Sequence, residues 1–112
     1  MSELIYLASP YTHDDPWVRQ ERYDQALRAY VHLLRQDKFV FCPIVMTHYA
    51  DGQLRRAKDH AFWIRQTEEI LQRCDKVIVL QIDGWRHSKG IASEVVMAAR
   101  LGIPIEYMEW KT

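Results

Sequence analysis

The chain lacks an excess of either charge: lysine plus arginine number 15 and aspartate plus glutamate number 15 in 112 residues, so its formal net charge is zero. That balance excludes a global field able to gather a nucleic acid polymer or an anionic membrane surface, and leaves only local patches. Cysteine is scarce. Cys42 and Cys74 lie far apart without C-x-x-C spacing, which argues against a zinc site and a disulfide scaffold and predicts two buried free thiols. His13, His32, His48, His60 and His87 show no H-x-x-x-H pairing, and neither G-x-x-x-x-G-K-[ST] nor G-x-G-x-x-G occurs. Metal, ATP and dinucleotide chemistry are left without a motif, and no metal or cofactor is expected. No apolar run approaches membrane-spanning length, and the strand-like start has no signal-peptide profile, so the expectation is a cytoplasmic protein.

What is present is an alternation of strand and helix patterns. Leu4-Ile5-Tyr6-Leu7-Ala8 is a run of strand formers closed by Ser9-Pro10. Asp15 followed by Pro16 reads as a cap and first helical residue. The helix that follows places Tyr23, Ala26, Leu27, Tyr30, Val31 and Leu34 on one stripe. Phe39 to Ile44 reads as a second strand with its proline where pairing ends. The segment from Val45 to Lys58, with His48, Tyr49 and Asp51-Gly52, shows no clear period and is expected to form a long loop with room for a helical turn. On that loop the cluster Arg55-Arg56-Lys58 reads as a solvated patch able to assist with a phosphate. Asp59 is a candidate cap for a helix carrying Trp63, Thr67, Ile70, Leu71 and Cys74 on one face.

The stretch from Val77 to Leu101 organises the rest. Val77-Ile78-Val79-Leu80 has the β-branched content and lack of alternation of a strand buried on both faces, which predicts a parallel sheet. Asp83-Gly84 suits a tight turn, and Ile91, Val95, Ala98 and Ala99 fall on one helical stripe. Gly102 is a fitting helix stop, and Ile103 to Met108 offers a last strand. Right-handed crossovers between parallel strands then give a three-layer α/β/α domain with strand order 2-1-3-4. In such a sheet ligands bind beyond the carboxyl ends of the strands where winding reverses, here between the first and third.

That crevice collects Tyr6, Ser9, Pro10 and Tyr11 from one strand end, and Gly84, Trp85, Ser88, Gly90 and Glu94 from the other. A carboxylate near a helix start, a phenol able to donate to it, and backbone amides for an anion suit attack on an electrophilic carbon of a phosphorylated ligand. Each residue also has a plainer reading. Glu94 suits a positive helix start, Tyr6 suits strand packing, and Ser88 suits a helix cap. Trp85 reads equally as a loop anchor and as a platform for a base, and His48 as a loop or surface histidine.

Ile5-Tyr6-Leu7-Ala8-Ser9-Pro10-Tyr11, Cys74-Asp75 and Ser88-x-Gly90-x-x-x-Glu94 together resemble the nucleoside 2-deoxyribosyltransferase superfamily, including its 2′-deoxynucleoside 5′-monophosphate N-glycosidase branch. The resemblance is nearest to small bacterial and phage members with a D-G-W-x-x-S-x-G motif, and it spans nearly the whole chain, residues 1–112, as one flavodoxin-like domain. It implies that Glu94 attacks the anomeric carbon of the sugar as the base departs, and that Tyr6 orients Glu94. It implies that Ser88 and Gly90 hold a 5′-phosphate; Ser9, Pro10, Tyr11, Gly84 and Trp85 at the same crevice, with His48 on the neighbouring loop, are the further candidate substrate contacts. It also implies a small-molecule nucleoside or nucleotide partner and a homo-oligomer that completes its sites across an interface. The sequence departs where the family usually carries an aspartate on the preceding helix, for Thr67 stands there. Two functions therefore stay open: cleavage or transfer at an N-glycosidic bond, and a nucleotide-binding module that has kept the pocket and lost turnover.

Overall fold

The computed structural model describes residues 2–53 and 60–111. A four-stranded parallel sheet, ordered β2-β1-β3-β4, is built from β1 (Leu4–Ala8), β2 (Phe39–Phe41), β3 (Lys76–Gln81) and β4 (Ile105–Glu109). The helices are α1 (Pro16–Arg35), α2 (Pro43–Gln53), α3 (His60–Leu71) and α4 (Lys89–Leu101), with a 3₁₀ turn at Trp85–His87 before α4. This is the expected three-layer, flavodoxin-like arrangement.

The two apolar runs are central because only strands covered on both faces can hide them. Ile5 to Ala8 and Val77 to Leu80 are all buried, and the two strands pair in parallel with Tyr6 opposite Val77 and Ala8 opposite Val79. Successive side chains on a strand point to opposite faces. Ile5 and Leu7 accordingly pack with Ala26, Ala29 and Leu33 of α1, while Tyr6 and Ala8 pack with Leu71, Cys74, Ile91 and Ala98 on the other side. Parity along β1 thus sends Tyr6 to the face that α3 and α4 cover. Each leucine or isoleucine among them contributes roughly 1.5–3 kcal/mol on full burial.

The ends of the helices follow the sequence closely. Asp15 caps α1 by accepting from the Trp17 N–H at 2.9 Å, with Pro16 in the first turn. Ser88 caps α4 by accepting from the Ile91 N–H at 3.2 Å, and Gly102 ends it in the left-handed conformation at φ 71°. Cys42 and Cys74 are buried free thiols, which burial pushes up to about 11. No helix among the described residues is long and apolar enough to cross a membrane.

Several expectations are corrected. The loop anticipated from Val45 is α2, which runs to Gln53. Pro43 fits a first helical turn, the Met46 N–H donates to the Cys42 carbonyl at 3.1 Å, and the Thr47 hydroxyl donates to the Pro43 carbonyl at 2.8 Å. Proline therefore ends the second strand earlier than expected, at Phe41, by starting a helix. On α1 the fully buried positions are Tyr23, Ala26, Ala29 and Leu33, whereas Leu34 is exposed, because two alanines let the helix sit close on the sheet and rotate Leu34 outward. On α4, Ala99 is likewise exposed beside the buried Ala98. The last strand is shifted to Ile105–Glu109. The proposed Asp59 cap and the Arg55-Arg56-Lys58 cluster lie outside the described residues.

Candidate active site

Tyr6 and Glu94 are brought together across the crevice. The buried Tyr6 phenol donates a hydrogen bond to Oε2 of Glu94, which projects from the second turn of α4. Burial pushes the Glu94 carboxyl up to about 7, against the downward pull of the phenol's hydrogen bond. Burial first, and then the Glu94 charge and hydrogen bond, hold the phenol well above its ordinary range, so it remains a donor. Together they present a carboxylate that ionises near neutrality and is fixed in direction. A group so poised is suited to nucleophilic work.

Thr67 joins this pair from α3. Its hydroxyl hydrogen-bonds with the Tyr6 phenol, partly offsetting the rise in the phenol's pKa, and lies 3.1 Å from the Trp63 carbonyl oxygen and 3.2 Å from that of Ile64. Phe41 of β2 covers the other side of Tyr6, with ring centroids 5.5 Å apart. Thr67, which stands where the resembled superfamily usually carries an aspartate, thus touches the Tyr6–Glu94 pair.

A second cluster forms where the β1–α1 connection meets α2. The Tyr11 hydroxyl and Nδ1 of His48 are 2.6 Å apart, and the His48 ring stacks on Tyr23 at 4.2 Å with Tyr49 edge-on at 4.7 Å. His48 is not on a loop. It is a partly buried helix residue whose pKa burial lowers, with Asp24 raising it and Arg19 adding to the lowering.

The other anticipated residues divide between rim and core. Ser9 is buried, its hydroxyl 3.5 Å from the Pro10 carbonyl oxygen, and Pro10 is fully buried beneath the rim. Trp85 packs against the α3–α4 core and lies 5.7 Å from the Tyr107 ring on β4, with Arg86 5.2 Å above it. That is the loop-anchor arrangement. Ser88 makes the cap already described. Gly90 has no conformational need to be glycine, since a Cβ there would meet only the Ser88 hydroxyl at 3.8 Å; its bare backbone leaves the helix start open. Gly84 is the opposite case: its φ of 90° excludes an ordinary side chain, and the Arg22 guanidinium of α1 fills the space where a Cβ would lie.

The contacts of Arg22 with Gly84 and of Tyr23 with His48 have no signal in the sequence, because both residues sit within an amphipathic helix pattern that marks no partner outside the helix.

The sheet order and the helices that cover it give the chain a nucleoside 2-deoxyribosyltransferase-like fold. The 2-deoxyribosyltransferase of the psychrotolerant bacterium Bacillus psychrosaccharolyticus, described as a biocatalyst for the synthesis of antiviral and antitumoral nucleosides, is a similar solved structure. It matches with a TM-score of 0.66 over 95% of this chain and 72% of its own, at 22% identity, and the likeness is one of fold. The chain belongs to the family described as Domain of unknown function (DUF1937), which matches residues 3–110. No curated protein matches it.

Proposed function

We propose that the protein cleaves or transfers at the N-glycosidic bond of a (deoxy)nucleoside or its 5′-monophosphate, with Glu94 as nucleophile. The Tyr6–Glu94 hydrogen bond at the crevice carries this reading. The ionised carboxylate attacks the anomeric carbon, the carbon–nitrogen bond breaks, and its electron pair leaves with the base, which takes up a proton. The resulting glycosyl ester is attacked by water in hydrolysis or by a second base in transfer, which restores Glu94. Tyr6 keeps one carboxylate oxygen engaged so that the other faces the sugar. The fold shared with a 2-deoxyribosyltransferase supports the same reaction class.

Oligomerisation is part of the reading. A groove of about 520 Å³ between α3 and α4 is lined by Glu68, Gln72, Val96, Met97, Arg100 and Leu101. Val96 and Leu101 on its wall are half-exposed, and Tyr107 is exposed nearby on β4, which suits a second copy of the chain. Solution scattering across a wide concentration range tests this: a dimer mass supports it and a constant monomer mass refutes it.

Thr67 favours a second reading, a nucleotide-binding module without turnover, because a hydroxyl stands where the resembled family places an acid. Incubation with a panel of deoxynucleosides and their monophosphates, with free base measured by chromatography, separates the two. Base release supports the enzyme. Binding of deoxynucleotides without base release supports the module, and Thr67→Asp then tests whether the missing acid restores cleavage.

A further inference from the structure

We infer that Thr67 is a positioning residue: its hydroxyl donates to the phenol oxygen of Tyr6 and thereby commits the phenol's proton to Glu94. Its catalytic meaning rests on the cleavage reading, whereas the order of the hydrogen bonds can be tested apart from it. The ground is an accounting of protons. The Tyr6 phenol gives its proton to Oε2 of Glu94. Its oxygen still carries lone pairs, and because Tyr6 is fully buried no solvent reaches them. A buried acceptor of this kind takes a donor from the protein.

Ile70, Leu71, Ile91 and Ala98 pack around Tyr6 and Phe41 covers its ring, and none of these side chains has a proton to give. Thr67 lies one turn before Leu71 on the same face of α3 and touches the phenol. Its hydroxyl stands 3.1 Å from the Trp63 carbonyl oxygen and 3.2 Å from that of Ile64. Both distances are long for hydroxyl-to-oxygen bonds, which centre on about 2.7–2.8 Å. Both carbonyls also lie within α3, where the helical ladder supplies each with a backbone N–H. The Thr67 proton is therefore available to the phenol. The further titratable group that acts on the pair is Cys42, between β2 and α2. Its thiol is a weak donor that accepts from the Ile44 and Val45 N–H groups, and burial pushes it up to about 11, so it brings no charge. Thr67, Tyr6 and Glu94 then form a chain in which every bond points to the carboxylate and each polarises the next. An ionised acid at position 67 would offer acceptors alone and would compete with Glu94 for the phenol's proton. The hydroxyl is the group that this chain requires, and its presence is compatible with turnover.

The test is a carbon-13 NMR titration of the Glu94 side-chain carboxyl in the full chain, assigned with Glu94→Gln, for wild type, Thr67→Val, Thr67→Ser and Thr67→Asp. Thr67→Val keeps the shape and loses the donor, so the Glu94 midpoint should rise by about 0.3–0.5 pH unit. Thr67→Ser keeps the donor and should stay at the wild-type midpoint. Thr67→Asp adds a like charge and a competing acceptor, and should rise beyond Thr67→Val. Thr67→Ala takes the place of the valine variant if that does not fold. An unmoved midpoint in Thr67→Val overturns the inference, as does an equal displacement in Thr67→Ser, which would make the residue a packing contact. A midpoint in Thr67→Asp at or below that of wild type overturns it as well. Base release from deoxynucleosides and their monophosphates is measured in parallel, and where it occurs Thr67→Val should lower kcat and leave KM. A midpoint that depends on the Thr67 hydroxyl without base release leaves this inference standing and removes the cleavage reading; base release with an unmoved midpoint in Thr67→Val does the reverse.

Discussion

Tyr6 and Glu94, 88 residues apart in the chain, share a hydrogen bond in which the phenol is the donor and the carboxylate the acceptor. The direction matters because burial pulls the two groups the same way. It raises both pKa values, so Glu94 reaches about 7 and the phenol stays protonated at any ordinary pH. A carboxylate of this kind can be ionised for attack at neutral pH and yet is destabilised enough to be reactive.

Activity should therefore climb with pH through an acid limb centred near the Glu94 value of about 7 and level off above it. Stability should run the other way. The folded carboxyl holds its proton up to a higher pH than the unfolded one, so stability falls as pH rises from the unfolded value of 4.5 through about 7. Glu94→Gln removes that loss and should melt higher than wild type at pH 8, by an amount worth a few kcal/mol at most. Thermal melts at pH 5 and pH 8 check the sign: a variant no more stable than wild type at the higher pH contradicts it.

Tyr6→Phe removes the interaction that lowers the Glu94 pKa. The acid limb of the pH–rate profile should shift upward and the maximal rate should drop, while the loss of one hydrogen bond costs roughly 1 kcal/mol of stability. An unshifted limb with a lower rate would mean that Tyr6 contributes packing alone.

Ser88 and Gly90 separate a helix cap from a ligand contact. Ser88→Ala removes the acceptor for the Ile91 N–H and should cost about 1 kcal/mol of stability. It should also weaken monophosphates more than nucleosides. Gly90→Ala fits the helix without a clash and should stabilise the protein by roughly 0.5–1 kcal/mol. It places a methyl group over the open helix start, so monophosphate affinity should fall even as the melting temperature rises. Affinities measured beside the melts decide the matter, and a stabilised Gly90→Ala with undiminished monophosphate binding would remove the helix start from the site.

The central strands were legible because uninterrupted apolar runs such as Val77 to Leu80 have few homes other than a doubly covered sheet. Asp15-Pro16 and Gly102 were legible because capping chemistry is local. The position of α2 was not: its apolar residues lack a helical period, since only Ile44 and Val45 of its first turn reach the α1–sheet core and the next turn is held by His48 and Tyr49 against Tyr23 of α1. His48 consequently reads as a loop residue in the sequence. Glu94 and Tyr6 could be singled out from their motif, but their mutual hydrogen bond needed the β1 register that turns Tyr6 toward α4. The Arg22–Gly84 contact has no local signal, because a left-handed glycine in a turn says nothing about what fills the space beside it.

The most direct test is a rapid quench of the protein with deoxynucleosides and their 5′-monophosphates, followed by intact and peptide mass measurement. A transient adduct with the mass of the sugar unit is expected on the peptide containing Glu94, appearing with free base and absent from Glu94→Gln, which should bind substrate without releasing base. Base release that persists in Glu94→Gln, or an adduct on another residue, would contradict it.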